Sequence, residues 1–235
     1  MRLRILHTND MHGTLDEGRF ETLCRMRAES DLYFDSGDVI KTGNLGIPLK
    51  PEAAWPLLDR LHCTASVLGN RETHVLEKAF EAKIAGALHP ILCGNLRKKD
   101  GTRPLNRSLL LAVEGVKVGV IGVMVPMVTE RMATRAASAY LWDPPVQTAI
   151  ELAGALRPSV DLLICLSHIG NRQDVELAER CQSIDVILGG HSHTVLNTPM
   201  KVGRTSICQG GSHNRYAGDY EWTDVSGLTG GLKPL

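Results

Sequence analysis

The chain has 235 residues, enough for one large domain or two small ones around a sizeable core. A hydrophobic fraction of 43% excludes wholesale disorder. Lysine plus arginine equals aspartate plus glutamate at 26 each, so bulk charge gives no argument for a nucleic-acid polymer or an anionic membrane as partner, and a small acidic ligand would have to be recognised by local charge.

Strand-like and helix-like segments alternate from the start. Leu3–Leu6 predicts a short strand, Arg19–Ala28 a helix with Phe20, Leu23, Cys24 and Arg27 on one face, and Leu32–Phe34 a second strand. Pro51–Leu61 predicts a helix with proline at its first position and Glu52 in its first turn. Ala65–Leu68 is a third strand, Thr73–Leu88 a long helix and Ile91–Cys93 a fourth strand. Ser108–Val113 and Val116–Val123 flank Glu114-Gly115 and predict a hairpin. Asp143 is placed to cap a helix over Pro144–Leu156; Asp161–Leu166 is a strand, Val175–Arg180 a helix and Ile184–Leu188 a strand. Thr198–Val202, Thr205–Cys208 and Tyr216–Trp222 read as closing antiparallel strands. The pattern predicts one α/β domain over residues 1–223, with mixed β-sheets stacked and covered by helices, and a loose tail over residues 224–235.

Six cysteines, none in a C-x-x-C pair, read as reduced thiols. No stretch approaches the ~20 apolar residues of a membrane span. The N-terminus reaches a motif by Asp10, which leaves no room for a signal peptide, so the expected location is cytoplasmic and no membrane partner is expected.

The residues that carry chemistry lie just past the strands. Asp10-Met11-His12 comes after the first, Gly37-Asp38 after the second and Gly69-Asn70 after the third. Ser167-His168 and Gly189-Gly190-His191-Ser192-His193 come after two later ones. Ligands of open α/β sheets bind beyond the carboxyl ends of the strands, so parallel strands would bring these loops to one edge. Asp10, His12, Asp38, Asn70, His168, His191 and His193 then supply seven oxygen or nitrogen donors and no thiolate. One ion could not use seven such side chains, but two could if a carboxylate bridged them.

At these residues the chain resembles the calcineurin-like metallophosphoesterases, and most the catalytic domain of the 5′-nucleotidase and 2′,3′-cyclic phosphodiesterase branch. The matching segments run from Ile5 to Gly13, then Asp35-Ser36-Gly37-Asp38, Gly69-Asn70, Leu166 to Gly170, Ile187 to Thr194, and Gln209 to Gly218. The resemblance implies a four-layer fold, two sheets between helical layers. It implies that Asp10, His12, Asp38 and His193 hold a first metal, and that a bridging Asp38 with Asn70, His168 and His191 holds a second. Manganese, iron, zinc and cobalt are the expected occupants.

The family's usual histidine after Gly-Asn is Arg71 here, which keeps the charge and loses the proton donor. Asn70 and Arg71 are the expected catalytic pair, and Arg71, Asn95 and His213 the expected substrate contacts; His74 and His213 are possible substitute proton donors. The expected reaction is hydrolysis of a small phosphate ester, monoester or nucleotide-like, by a metal-activated hydroxide, with activated leaving groups preferred. A phosphodiesterase acting on cyclic nucleotides or similar diesters is one alternative. A non-enzymatic, metal-stabilised domain that binds phosphorylated metabolites is another. The sequence leaves the oligomeric state open.

Overall fold

A computed structural model describes residues 1–235. In chain order the elements are β1 (Arg2–Thr8), α1 (Glu17–Ala28), β2 (Leu32–Asp35), α2 (Ala54–Arg60), β3 (Ala65–Val67), α3 (Glu77–Ile84), β4 (Ile91–Leu92), β5 (Leu96–Lys98), β6 (Ser108–Val113), β7 (Val116–Met124), β8 (Tyr140–Trp142), α4 (Pro145–Leu156), β9 (Leu162–His168), α5 (Asn171–Arg180), β10 (Val186–Gly189), β11 (Met200–Val202), β12 (Thr205–Cys208), β13 (Tyr216–Thr223) and β14 (Gly227–Pro234). One six-stranded sheet has the order β14-β13-β1-β2-β3-β4, the other β11-β12-β10-β9-β7-β6, and β5 pairs β8 in a small ribbon. Strands β1 to β4 run parallel, as do β7, β9, β10 and β12; antiparallel strands close both edges of the second sheet and the β13–β14 side of the first, whose other edge is the parallel β4.

Side-chain alternation along the strands builds the layers. In β9, Leu162, Ile164 and Leu166 join Leu3, Ile5, Phe34 and Val67 between the two sheets, whereas Leu163 and Cys165 face α4 and α5 with Ala149, Leu152 and Leu177. The outer face of the first sheet packs Leu6 and Tyr33 against Phe20, Leu23, Trp55, Leu58 and Phe80 of α1, α2 and α3. The result is the expected four-layer α/β arrangement of two mixed sheets between helices. Glu114 and Gly115, at φ 49° and 77°, make the predicted β6–β7 turn, with both central residues left-handed.

Several boundaries differ from the sequence-based expectation for local reasons. The long helix over Thr73–Leu88 contracts to α3 because Thr73 closes a turn on the Asn70 carbonyl, the Leu76 amide donates to His74 Nδ1, and Gly86 takes φ +101°. Pro51 does not start a helix: Glu52 accepts the Lys41 and Thr42 amides, and α2 begins at Ala54. Asp143 caps nothing; it pairs with Arg97 and Arg103, and α4 has no side-chain cap. Strand β12 is parallel to β10, and β13 belongs to the other sheet beside β1.

The loose tail is corrected outright. Residues 227–234 form β14, paired with β13 from Tyr216↔Pro234 to Thr223↔Gly227, and Leu228 is buried beside Tyr220 and Trp222. The glycines that suggest looseness sit in an edge strand, where Gly230 at φ +104° lies so close to Asp219 that a Cβ would be 2.3 Å from its carbonyl oxygen. Replacing Leu228 by alanine should therefore cost about 2–4 kcal/mol in urea unfolding, as for a core leucine. A change within about 0.5 kcal/mol would mark β14 as a dispensable tail.

Candidate metal centre

The carboxyl ends of β1, β2, β3, β9 and β10 meet along one edge shared by the two sheets. Backbone hydrogen bonds sew the first two loops together: Asp10 N–H to Gly37 O at 2.9 Å, His12 N–H to Asp38 O at 2.9 Å and Gly13 N–H to Val39 O at 2.8 Å. Asp10, His12, Asp38, His191 and His193, five of the seven donors, have φ between 51° and 73°. Each left-handed residue turns the chain sharply at a strand end, at about 1–2 kcal/mol of strain. Two glycines permit the close approach. A Cβ on Gly69 would lie 2.2 Å from the Asp38 nitrogen, and one on Gly190 would lie 2.7 Å from the Ser36 carbonyl and 3.1 Å from Asp10 Oδ2.

The structure brings all seven donors into one network. Asp10, His12 and His193 form one group of potential ligand atoms and Asp10, Asp38 and His168 a second, with all atoms in each within 4.8 Å of one another. Asp10 Oδ1 lies 3.5 Å from His12 Nε2 and 3.3 Å from His193 Nε2. Asp38 offers Oδ2 to His12 Nε2 at 3.8 Å and Oδ1 to His168 Nε2 at 3.5 Å, one oxygen to each group. Asn70 Oδ1 faces His168 Nε2 at 3.1 Å and His191 Nδ1 at 2.9 Å.

These residues fit a cation. His168 donates Nδ1–H to the Ser36 carbonyl at 2.7 Å, so its Nε2 carries a lone pair. That lone pair faces the oxygens of Asp38 and Asn70, an arrangement of acceptors that needs a positive charge among them. Asp10 and Asp38 are nearly inaccessible, and buried carboxylates require compensation. Burial works against ionisation of Asp10, yet hydrogen bonds from His12, His193 and Asn9 outweigh it and hold its carboxyl far below the usual range. The bond to Asp10 raises His193, while burial and then His168 lower His191.

Three supporting residues carry no motif that marks them in the sequence. Glu72, fully buried, accepts the amides of Asp38, Val39, Ile40 and Gly69 at 2.8–3.1 Å and so shapes the Asp38 turn. Burial, then the neighbouring Asp38, push its carboxyl up to about 7 against those four donors. Asn44 accepts a hydrogen bond from Asn70 Nδ2 at 2.9 Å. Lys83 lies beneath both loops. Its one signal in the sequence is a charge on the buried face of a helix, beside Ala79 and Phe80; Glu72 and Asn44 have none.

The expected substrate contacts divide. Arg71 donates its backbone N–H to Asp38 Oδ1 at 2.7 Å, and its partly exposed guanidinium lies 3.8 Å from Asp38 Oδ2. His213 sits on the rim, its ring 4.7 Å from that of His12 and its N–H bonded to the Asp10 carbonyl. Burial, and then the positive charge of His12 and His193, lower its pKa. Asn95 is corrected: it is fully buried, its amide donates to the Met124 and Asp143 carbonyls, and its oxygen accepts the Met124 amide, so it holds β5 against β7 rather than facing a ligand. His74 uses Nδ1 to close the turn before α3.

Residues 3–195 match the calcineurin-like phosphoesterase family. The chain belongs to that family. Membership places it among the phosphoric ester hydrolases, in a family that works with a dinuclear metal centre. Among curated relatives it is 27% identical over 244 residues to the metallophosphoesterase YunD of Bacillus subtilis, covering 94% of this chain and 50% of that one. It is 28% identical over 229 residues to the 5′-nucleotidase of Homo sapiens, covering 83% of this chain and 39% of that one. The 5′-nucleotidase precursor of Thermus thermophilus superposes with a TM-score of 0.79 at 21% identity, covering all of this chain and 55% of that one. The family member described here thus spans half or less of the length of these curated relatives. None of its helices is long and apolar enough to cross a membrane.

Adding Mn²⁺ or Zn²⁺ at 100 times Kd to chelator-treated protein should stabilise it by about 2.7 kcal/mol, read as a rise in Tm. Asp10→Asn, which weakens both donor groups, should abolish that rise.

Proposed function

We infer that the chain is a dinuclear-metal phosphoesterase that hydrolyses small phosphate esters, monoesters and nucleotide-like compounds among them. The observation that carries this reading is the pair of donor groups joined by Asp10 and Asp38, with Asp38 turning one oxygen to each. Asp10, His12 and His193 would hold one ion, Asn70, His168 and His191 the other, with Asp38 between them. Bound ions of the manganese, iron, zinc or cobalt type would supply Lewis acidity, drawing the pKa of a water toward ~7 and screening phosphoryl charge.

The chain's own residues set the rest. Arg71 is anchored through its backbone on Asp38 Oδ1 and through Nη1 on the Lys41 carbonyl at 2.9 Å, which holds the guanidinium beside the cluster with its remaining N–H groups free for phosphoryl oxygens. It orients the substrate and stabilises charge that grows on the equatorial oxygens in the transition state. It cannot release a proton near neutral pH. The leaving oxygen therefore departs without acid assistance from residue 71, a loss of about 10²–10⁴-fold that falls hardest on poor leaving groups. The retained donor set favours turnover over the binding-only alternative. The six unpaired cysteines, five of them buried, support a reducing compartment such as the cytoplasm.

A metal-reconstituted screen should find p-nitrophenyl phosphate cleaved well above an alkyl monoester such as glycerol phosphate. Arg71→Ala should lower kcat/KM about 10²–10³-fold on both. Arg71→His should narrow the gap between aryl and alkyl substrates; equal losses on both would remove leaving-group protonation from the role of this position.

A further inference from the structure

Lys83 is fully buried on α3, and its ammonium donates to four backbone carbonyls: Gly43 at 2.8 Å, Asn44 at 3.0 Å, Arg71 at 2.7 Å and Thr73 at 2.9 Å. The four belong to two loops, residues 43–44 and 71–73. Burying an ammonium is costly without such compensation, and a solvated lysine would have served a merely structural helix better. Besides Lys83, the loop that carries Asn44 is held by Arg71 Nη1 on the Lys41 carbonyl and by a Gly46–Gly43 backbone bond. Glu52 fixes its start at Lys41 and Thr42, and beyond Asn44 the side chains of Leu45 and Leu49 are 87% and 99% exposed.

Asn44 in turn meets the Asn70 amide at 2.9 Å. Its Oδ1 takes the Asn70 Nδ2–H, so the Asn70 oxygen is left toward His168 and His191. With the amide reversed, N–H groups would face the cation site. We propose that Lys83 and Asn44 are positioning residues that clamp two loops together and fix the Asn70 amide with its oxygen toward the second metal group. This rests on the reading of Asn70 as a ligand. Asn44 touches neither His12, His193 nor Asp38, so its effect is confined to one of the two groups; Lys83 also holds the Arg71 carbonyl, next to the N–H that bonds Asp38.

Calorimetric titration of Mn²⁺ into the chelator-treated chain tests this without reference to turnover. Asn70→Ala first identifies the binding step that belongs to the Asn70 group; if it weakens neither step, the ligand reading fails, independently of the clamp. Asn44→Ala should weaken that same step about 10–100-fold and leave the other unchanged. Asn44→Asp, which keeps an acceptor oxygen, should retain most of the affinity. Lys83→Met should weaken the Asn70 step by at least as much, with the fold intact by circular dichroism. Should it not fold, the pair of Asn44 variants decides alone. Equal weakening of both steps by Asn44→Ala, or no change in either, overturns the proposal.

Discussion

Two buried carboxylates, Asp10 and Asp38, are the constraint on which the rest of the structure depends. Each is almost inaccessible and faces imidazole nitrogens, and Asp38 also has the Arg71 guanidinium at 3.8 Å. A third carboxylate, Glu72, lies directly behind Asp38. Such a concentration of acceptors is tolerable only where backbone amides and a bound cation share the charge. The loops provide the amides: His191 N–H on Asp10, Arg71 N–H on Asp38, and four on Glu72.

The backbone strain has the same origin. Holding seven donors from five loops within a few ångströms requires abrupt turns at the strand ends, which explains why non-glycine residues accept left-handed conformations there. The cost is offset by the rigid floor beneath, two sheets whose facing side chains are packed without solvent. Rigidity matters for chemistry because donors held in place before a substrate arrives need no reorganisation when charge develops on phosphorus. Arg71 fits this scheme: it brings permanent positive charge, anchored at two points beside the cluster.

How much of the fold and the site is legible in the sequence depends on whether a signal is local. Strand–loop pairs such as Leu32–Phe34 with Gly37-Asp38 stand out because apolar runs and glycine-flanked donors lie side by side in sequence. All seven donors are found in that way. Asn95 misleads because it too comes after a strand, yet its amide serves the β5–β7 junction, a contact made 29 residues away. The helix ends at Thr73 and Pro51 mislead because the side chains at those ends are engaged elsewhere: His74 closes a turn on the Leu76 amide, and Glu52 reaches back to the Lys41 and Thr42 amides. The tail misleads because glycine-rich composition does not reveal that an open strand edge waits at β13.

The sequence by itself determined the alternation of strands and helices, the identity and order of the seven candidate donors and the arginine at position 71, since these reside in residue type and near-neighbour spacing. Tertiary structure alone decided which carboxylate oxygen faces which imidazole, that Glu72 gathers amides from two loops, and that Lys83 joins two loops while Asn44 meets the Asn70 amide. Those facts depend on distances between segments tens of residues apart, and such distances are fixed by how two sheets pack, not by any pattern along the chain.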